Sequence, residues 1–173
     1  MTELSIVPEC YIDTRVAEIA GQAKRGYNHQ HGCGDVAKTL SINLKNMIAL
    51  GIIDEDKNKG PQAKYFSNFH IIAEKHNLIL KKHSDKDQYI IVVCPEIERW
   101  LLTDATQIGL AIEDFGLPAD LNGLKEISKT QDINKNQGFY RFIKTLLKNE
   151  APSITTLKHW LALFKVNQLS SAT

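Results

Sequence analysis

The 173-residue sequence predicts an α/β domain: a mostly parallel sheet covered by helices on both faces, followed by a helical C-terminal extension. Three observations predict it. Short apolar runs, LSIV (4–7), ALGIID (49–54) and QYIIVVC (88–94), are separated by stretches of helical period, the pattern of strand–helix–strand units. Ile90 to Val93 is apolar without a break, which suits a central strand covered on both sides. Beyond residue 105 the strand-like runs cease and helical stripes take over, so 1–105 reads as the α/β part and 106–173 as an extension packed on it. Hydrophobic residues make up 43% of the chain, enough for a packed core.

The elements follow in order. LSIV is a buried strand that the chain leaves through Pro8, placing Glu9 and Asp13 at the exit. Asp13 and Thr14 precede RVAEIAG, a short helix stopped by Gly21. Residues 21–34 form a polar, glycine-rich loop, and Asp35 caps a second helix carrying Val36, Leu40, Leu44, Met47 and Ile48. ALGIID is a strand ending at Asp54, and residues 55–62 are a loop. Tyr65, Phe66, Phe69, Ile72 and Ala73 predict a helix over 63–76. NLILKKH (77–83) and QYIIVVC are strands joined by SDKD, and Pro95 opens a helix at a position that needs no N–H. In the extension, Phe139, Phe142, Ile143, Leu146 and Leu147 form one stripe, and Leu157, Trp160, Leu161 and Phe164 another.

Charge and cysteine content narrow the function classes. A formal net charge of +1 excludes a polybasic nucleic-acid binder, but the charge is unevenly spread. Residues 1–119 carry 13 basic and 16 acidic side chains, and residues 120–173 carry 8 and 4, so the extension suits a polyanion while the body concentrates carboxylates. Three widely spaced cysteines, Cys10, Cys33 and Cys94, form no disulfide framework. No segment reads as a signal peptide or membrane span, so the expectation is a cytoplasmic protein that does not enter membranes.

In α/β sheets the working residues gather at the carboxyl ends of the strands. Glu9 stands just past the first strand, and Asp54 and Asp56 at and past the second. Neighbouring strands lie about 4.8 Å apart, and residues i and i+2 of a strand point the same way. If the two strands are parallel neighbours, Glu9, Asp54 and Asp56 converge. Close carboxylates repel, and a hard divalent cation, Mg²⁺ or Mn²⁺, relieves that repulsion. The plain alternative is acids scattered in loops.

The order strand–Glu, helices, strand–Asp-x-Asp resembles a Toprim domain, the Rossmann-like fold of topoisomerases, primases and several phage-defence nucleases. Glu9 in IVPECYID matches the family's glutamate, Asp54 and Asp56 in GIIDEDK its aspartate pair, and Asp13 the acid that often follows the glutamate. CPEIERWLL (94–102) resembles the P-x-x-E-x-W-L-L element of Toprim-like proteins found beside restriction and abortive-infection systems. The resemblance spans about residues 3–105. It implies a Mg²⁺- or Mn²⁺-dependent phosphodiesterase or nuclease in phage or mobile-element defence. Glu9, Asp54 and Asp56 would be catalytic and metal-binding residues, with Asp13 and Glu98 in support. Glu98 also suits a helix first turn for its dipole alone, and Trp100 suits the core. The chain departs from the family where Cys10 replaces the usual glycine and Pro8 precedes the glutamate.

Other constellations carry less. His29, His31 and Cys33 lack a fourth zinc ligand nearby, and are better placed, with Lys57, to meet a phosphate, or simply to pack. HGCGDVAKT has Ala37 where a phosphate loop needs glycine before Lys38. Tyr65, Phe66 and Phe69 suit base stacking only if exposed. Lys57, Lys59, Lys81, Lys82 and His83 are candidates for a basic rim. Two further readings stay open: a non-catalytic module for a protein or nucleic-acid partner, and a small-molecule phosphatase or phosphotransferase. The first tolerates dispersed carboxylates and predicts an exposed apolar or basic face, and the second needs an enclosed pocket.

Overall fold

The computed structural model describes residues 3–55 and 61–171. Among these residues five strands form one sheet: β1 (Ile6–Pro8), β2 (Ala49–Asp54), β3 (Phe69–Lys75), β4 (Leu78–His83) and β5 (Gln88–Val93), in the order β1-β2-β5-β4-β3. The pairs β1·β2 and β2·β5 are parallel, whereas β5·β4 and β4·β3 are antiparallel. The domain is therefore α/β with a mixed sheet, not a mostly parallel one. The four residues 84–87 between β4 and β5 explain the difference: so short a link joins antiparallel neighbours, while a parallel crossover needs a dozen residues or more.

Side chains of period two divide the sheet between two cores. Ile6, Leu50, Ile52, Tyr89, Ile91 and Val93 face one side. There they meet α1 (Tyr11–Gly21), α3 (Ile97–Gln107), α4 (Leu121–Ser128), α5 (Gln137–Lys148) and α6 (Pro152–Lys165). Val7, Ala49, Ile53, Ile90 and Val92 face the other side, against α2 (Cys33–Lys38) and the 3-10 turns at 61–68. The two stripes of the extension are buried as their spacing predicts: Phe139, Phe142, Ile143 and Leu146 on α5, and Leu157, Trp160, Leu161 and Phe164 on α6. Trp100 is a core residue, 1% exposed.

Gly51 sets the approach of α2. A Cβ there would stand 3.0 Å from Val36 Cγ1 and 3.2 Å from both Leu40 Cδ1 and Ile90 Cγ2. Gly51→Val is expected to destabilise the fold by about 1–3 kcal/mol through overpacking. Urea denaturation checks this, and an unchanged midpoint would mean that α2 yields freely.

Residues 63–76 do not form a helix. The segment makes 3-10 turns to Asn68 and then β3. His76 and Asn77 both take left-handed φ, +49° and +58°, closing a two-residue hairpin onto β4. The helical spacing of the aromatics lost to the hydrogen-bonding demand of β4's outer edge. Phe66 and Phe69 pack into the core, so neither offers an exposed stacking face. The second helix also begins earlier than predicted. Gly32 precedes its first residue, Cys33, and Asp35 sits in the first turn instead of capping.

Candidate functional site

Strands β1, β2 and β5 are adjacent and point the same way, so their carboxyl ends share one edge. The backbone extends this edge by one bond on each side: Glu9 N–H donates to Ile52 O at 3.0 Å, and Glu55 N–H to Val93 O at 2.9 Å. The glycine-rich loop runs along β1's outer side, with Asn28 N–H on Ile6 O, Gln30 N–H on Pro8 O and Gly32 N–H on Glu9 O. That pairing delivers His29 and His31 to the same end of the sheet.

Four acids meet here. Glu9 Oε2 accepts from the Asp54 N–H at 3.0 Å, bridging β1 and β2 through a side chain. Asp54 Oδ1 accepts from Ile97 N–H at 3.0 Å, joining β2 to the start of α3. Asp13, on the first turn of α1, is 1% exposed and accepts from the Cys10 thiol at 2.9 Å. Its Oδ1 is buried without a hydrogen-bond partner. Glu98, in the first turn of α3, is 8% exposed and accepts a short hydrogen bond from Ser128 Oγ on α4.

Burial raises the pKa of Asp13 well above the ordinary carboxylate range, and the charges of Glu9 and Glu98 add to the rise. Asp54 is raised likewise, first by burial and then by Asp13, Glu9 and Glu98, against the lowering effect of the Ile97 N–H. The four carboxyls thus form one electrostatic unit. Cys10 is held protonated, its pKa raised by burial and by Asp13, so it serves as a hydrogen-bond donor and not as a nucleophile.

Asp56 and Lys57 lie outside the described residues. His29 stacks on Tyr11 at 4.3 Å and meets His31 edge-on at 4.7 Å. Its Nδ1 is 3.0 Å from Thr14 Oγ1. Burial, reinforced by His31, lowers its pKa and so favours the neutral ring. The His29 Nε2 is buried with no hydrogen-bond partner, and His31 is exposed. Lys82 and His83 do not join a basic rim at this edge. Lys82 pairs in register with Tyr89, at the amino end of β5 and away from the acids. His83 is 5% exposed beside Phe69. The antiparallel course of β4 carries both residues to the opposite edge, and Lys57 and Lys59 lie outside the described residues.

Among the described residues no three His, Cys, Asp or Glu side chains stand together so as to hold an ion. Two features nevertheless fit a hard cation: the acids offer only oxygen donors, and Asp13 Oδ1 is a buried oxygen with no partner. Two participants escaped the sequence reading, Cys10 as donor to Asp13 and Ser128 as donor to Glu98. The i, i+3 spacing of Cys10 and Asp13 at a helix start was a readable signal. The 30-residue separation of Glu98 and Ser128 was not. Among the described residues no helix is long and apolar enough to cross a membrane. The chain matches no family model, no curated protein and no solved structure.

Proposed function

We propose that the acidic edge is a Toprim-like centre for phosphodiester cleavage, dependent on Mg²⁺ or Mn²⁺, with nucleic acid as substrate and phage or mobile-element defence as its setting. One observation carries the reading: Glu9, Asp13, Asp54 and Glu98 converge at the carboxyl ends of three parallel strands, and raise the pKa of Asp13 and Asp54. Burying mutually repelling carboxyls opposes folding, which makes such a cluster in a domain a candidate functional site. The resemblance of IVPECYID, GIIDEDK and CPEIERWLL to Toprim elements points the same way.

Asp13, Asp54 and Asp56 are the residues that would hold the cation. When bound, the ion supplies Lewis acidity at a phosphoryl oxygen and a water of lowered pKa. The chain's own residues do the rest. Glu9, fixed against the Asp54 backbone, takes the proton from the attacking hydroxyl or water and returns it to the leaving oxygen. Glu98, anchored by Ser128, positions the start of α3, whose Ile97 N–H fixes the Asp54 carboxylate. His31 stands at the rim for a phosphate oxygen.

Calorimetric titration of Mg²⁺ and Mn²⁺ is the first test. Wild type is expected to bind, and Asp54→Asn/Asp56→Asn to lose binding. Glu9→Gln is expected to keep the fold and the cation but to lower cleavage of a labelled oligonucleotide by about 10²–10⁴-fold. Wild-type cleavage by Glu9→Gln would remove Glu9 from the mechanism. Cleavage absent from wild type with either cation would leave the partner-binding module as the reading.

A further inference from the structure

A second feature lies away from the acidic edge, where α1 packs against α5. A cavity of about 480 Å³ opens there, lined by Arg15, Glu18 and Gln22 of the α1 side and by Tyr140 and Lys144 of α5. Arg15 lies over the Tyr140 ring, its guanidinium carbon 5.4 Å from the centroid. Its Nε is buried with no hydrogen-bond partner. Neither Arg15 nor Lys144 makes an ion pair among the described residues, unlike Lys82, Arg99, Lys125, Lys129 and Lys165. Glu18 is the one acid in the lining, and its Oε1 accepts from Tyr27 N–H at 2.9 Å. Two unpaired cations, one with an orphaned buried donor, are thus left facing a polar cavity.

The charge continues past the cavity. Arg141 and Lys148 are exposed on α5 with Lys144, at i, i+3 and i+7, over about 10 Å of helix. They too make no ion pair among the described residues. A single small anion would use the cavity alone; a row of cations leading from it suits a chain of phosphates. Tyr140 is 37% exposed on the same helix and offers a ring of the kind on which unpaired bases stack.

We propose that the Arg15–Lys144 cavity and the basic face of α5 bind the phosphate backbone of single-stranded nucleic acid. The site names a substrate class for the phosphodiester reading and rests on that reading for the strand's fate, but its binding needs neither cation nor carboxylates. Arg15 grips one phosphate inside the cavity with Lys144 beside it, and Arg141 and Lys148 hold the phosphates that follow.

The test is fluorescence anisotropy of a labelled single-stranded oligonucleotide with the full chain in EDTA. Arg15→Gln/Lys144→Gln is expected to weaken binding about tenfold or more, and to make the slope of log K against log salt shallower by about 1.4, two contacts at about 0.7 each. Lys38→Gln/Lys64→Gln, with the same charge change on the other face of the sheet, is expected to bind as wild type. An unmoved affinity in the first variant, or an equal loss in the second, would overturn the site. A third arm titrates a nucleoside monophosphate. Monophosphate binding lost in the first variant, with oligonucleotide affinity unmoved, would mean a small-anion pocket and overturn the strand. Intact oligonucleotide binding by a wild type that cleaves with neither Mg²⁺ nor Mn²⁺ would count against the catalytic reading alone.

Discussion

Asp104→Ala is expected to destabilise the protein by about 3–5 kcal/mol, much of the 5–15 kcal/mol that holds a domain folded. Asp104 is fully buried on α3 and accepts from the N–H groups of Ser153 and Ile154 at 2.9 and 2.8 Å. It caps α6 from another helix. Nothing else at that terminus replaces it, since Ala151 stands at the cap position and gives no side-chain bond. Truncation leaves two buried donors unsatisfied, each worth about 1–3 kcal/mol, and removes a negative charge from the positive end of the helix dipole. Asp104→Asn keeps one acceptor and is expected to lose roughly half as much. Urea denaturation of both variants is the measurement, and a loss below about 1 kcal/mol for the alanine would refute this role. The effect reaches the acidic edge as well. α3 carries Glu98 near its start and Asp104 near its end, so loosening α6 loosens the helix that orients Asp54.

The second large effect concerns pH. Asp13 and Asp54 have an unfolded value near 3.8 and are pushed up to about 8 and about 9 in the fold by burial and by their acidic neighbours. Between these limits the folded state keeps protons that the unfolded chain releases. Linkage then makes stability fall as pH rises, the reverse of the usual behaviour of ion-paired acids. In EDTA the wild type is expected to lose stability steadily from about pH 5 to about pH 8, by at most about 1.4 kcal/mol per pH unit for each proton retained. Asp54→Asn keeps an acceptor for the Ile97 N–H and sheds the charge. It is expected to flatten the profile and to be more stable than wild type at pH 8. Added Mg²⁺ or Mn²⁺ is expected to raise the melting temperature of the wild type at pH 8 and to leave the variant unmoved, because only a folded state that binds the ion gains from it. Melting curves against pH, with and without cation, read all of this. A wild-type stability that climbs with pH would show the acids to be better solvated than their burial indicates.

Local pattern made several elements legible. ALGIID bounds β2 at the observed residues, and the stripes on α5 and α6 are the faces that pack. Apolar period and turn residues report which side of a segment turns inward, and these segments had a single consistent answer. Glu9 and Asp54 could be paired in advance because strand ends are predictable and β1 and β2 proved to be parallel neighbours. The segment 63–76 failed where two periods competed, and the His76-Asn77 turn carries no glycine to announce a hairpin.

The rest required the assembled chain. Strand direction sent Lys82 and His83 to the far edge, and turned a mostly parallel sheet into a mixed one. The burial of Asp13, the grip of Ser128 on Glu98 and the meeting of Arg15 with Tyr140 join residues far apart in sequence. Periodicity describes one segment against its own axis and says which face is apolar. Which segment lies against that face, and what charge it brings there, depends on how edges and faces are satisfied across the whole domain.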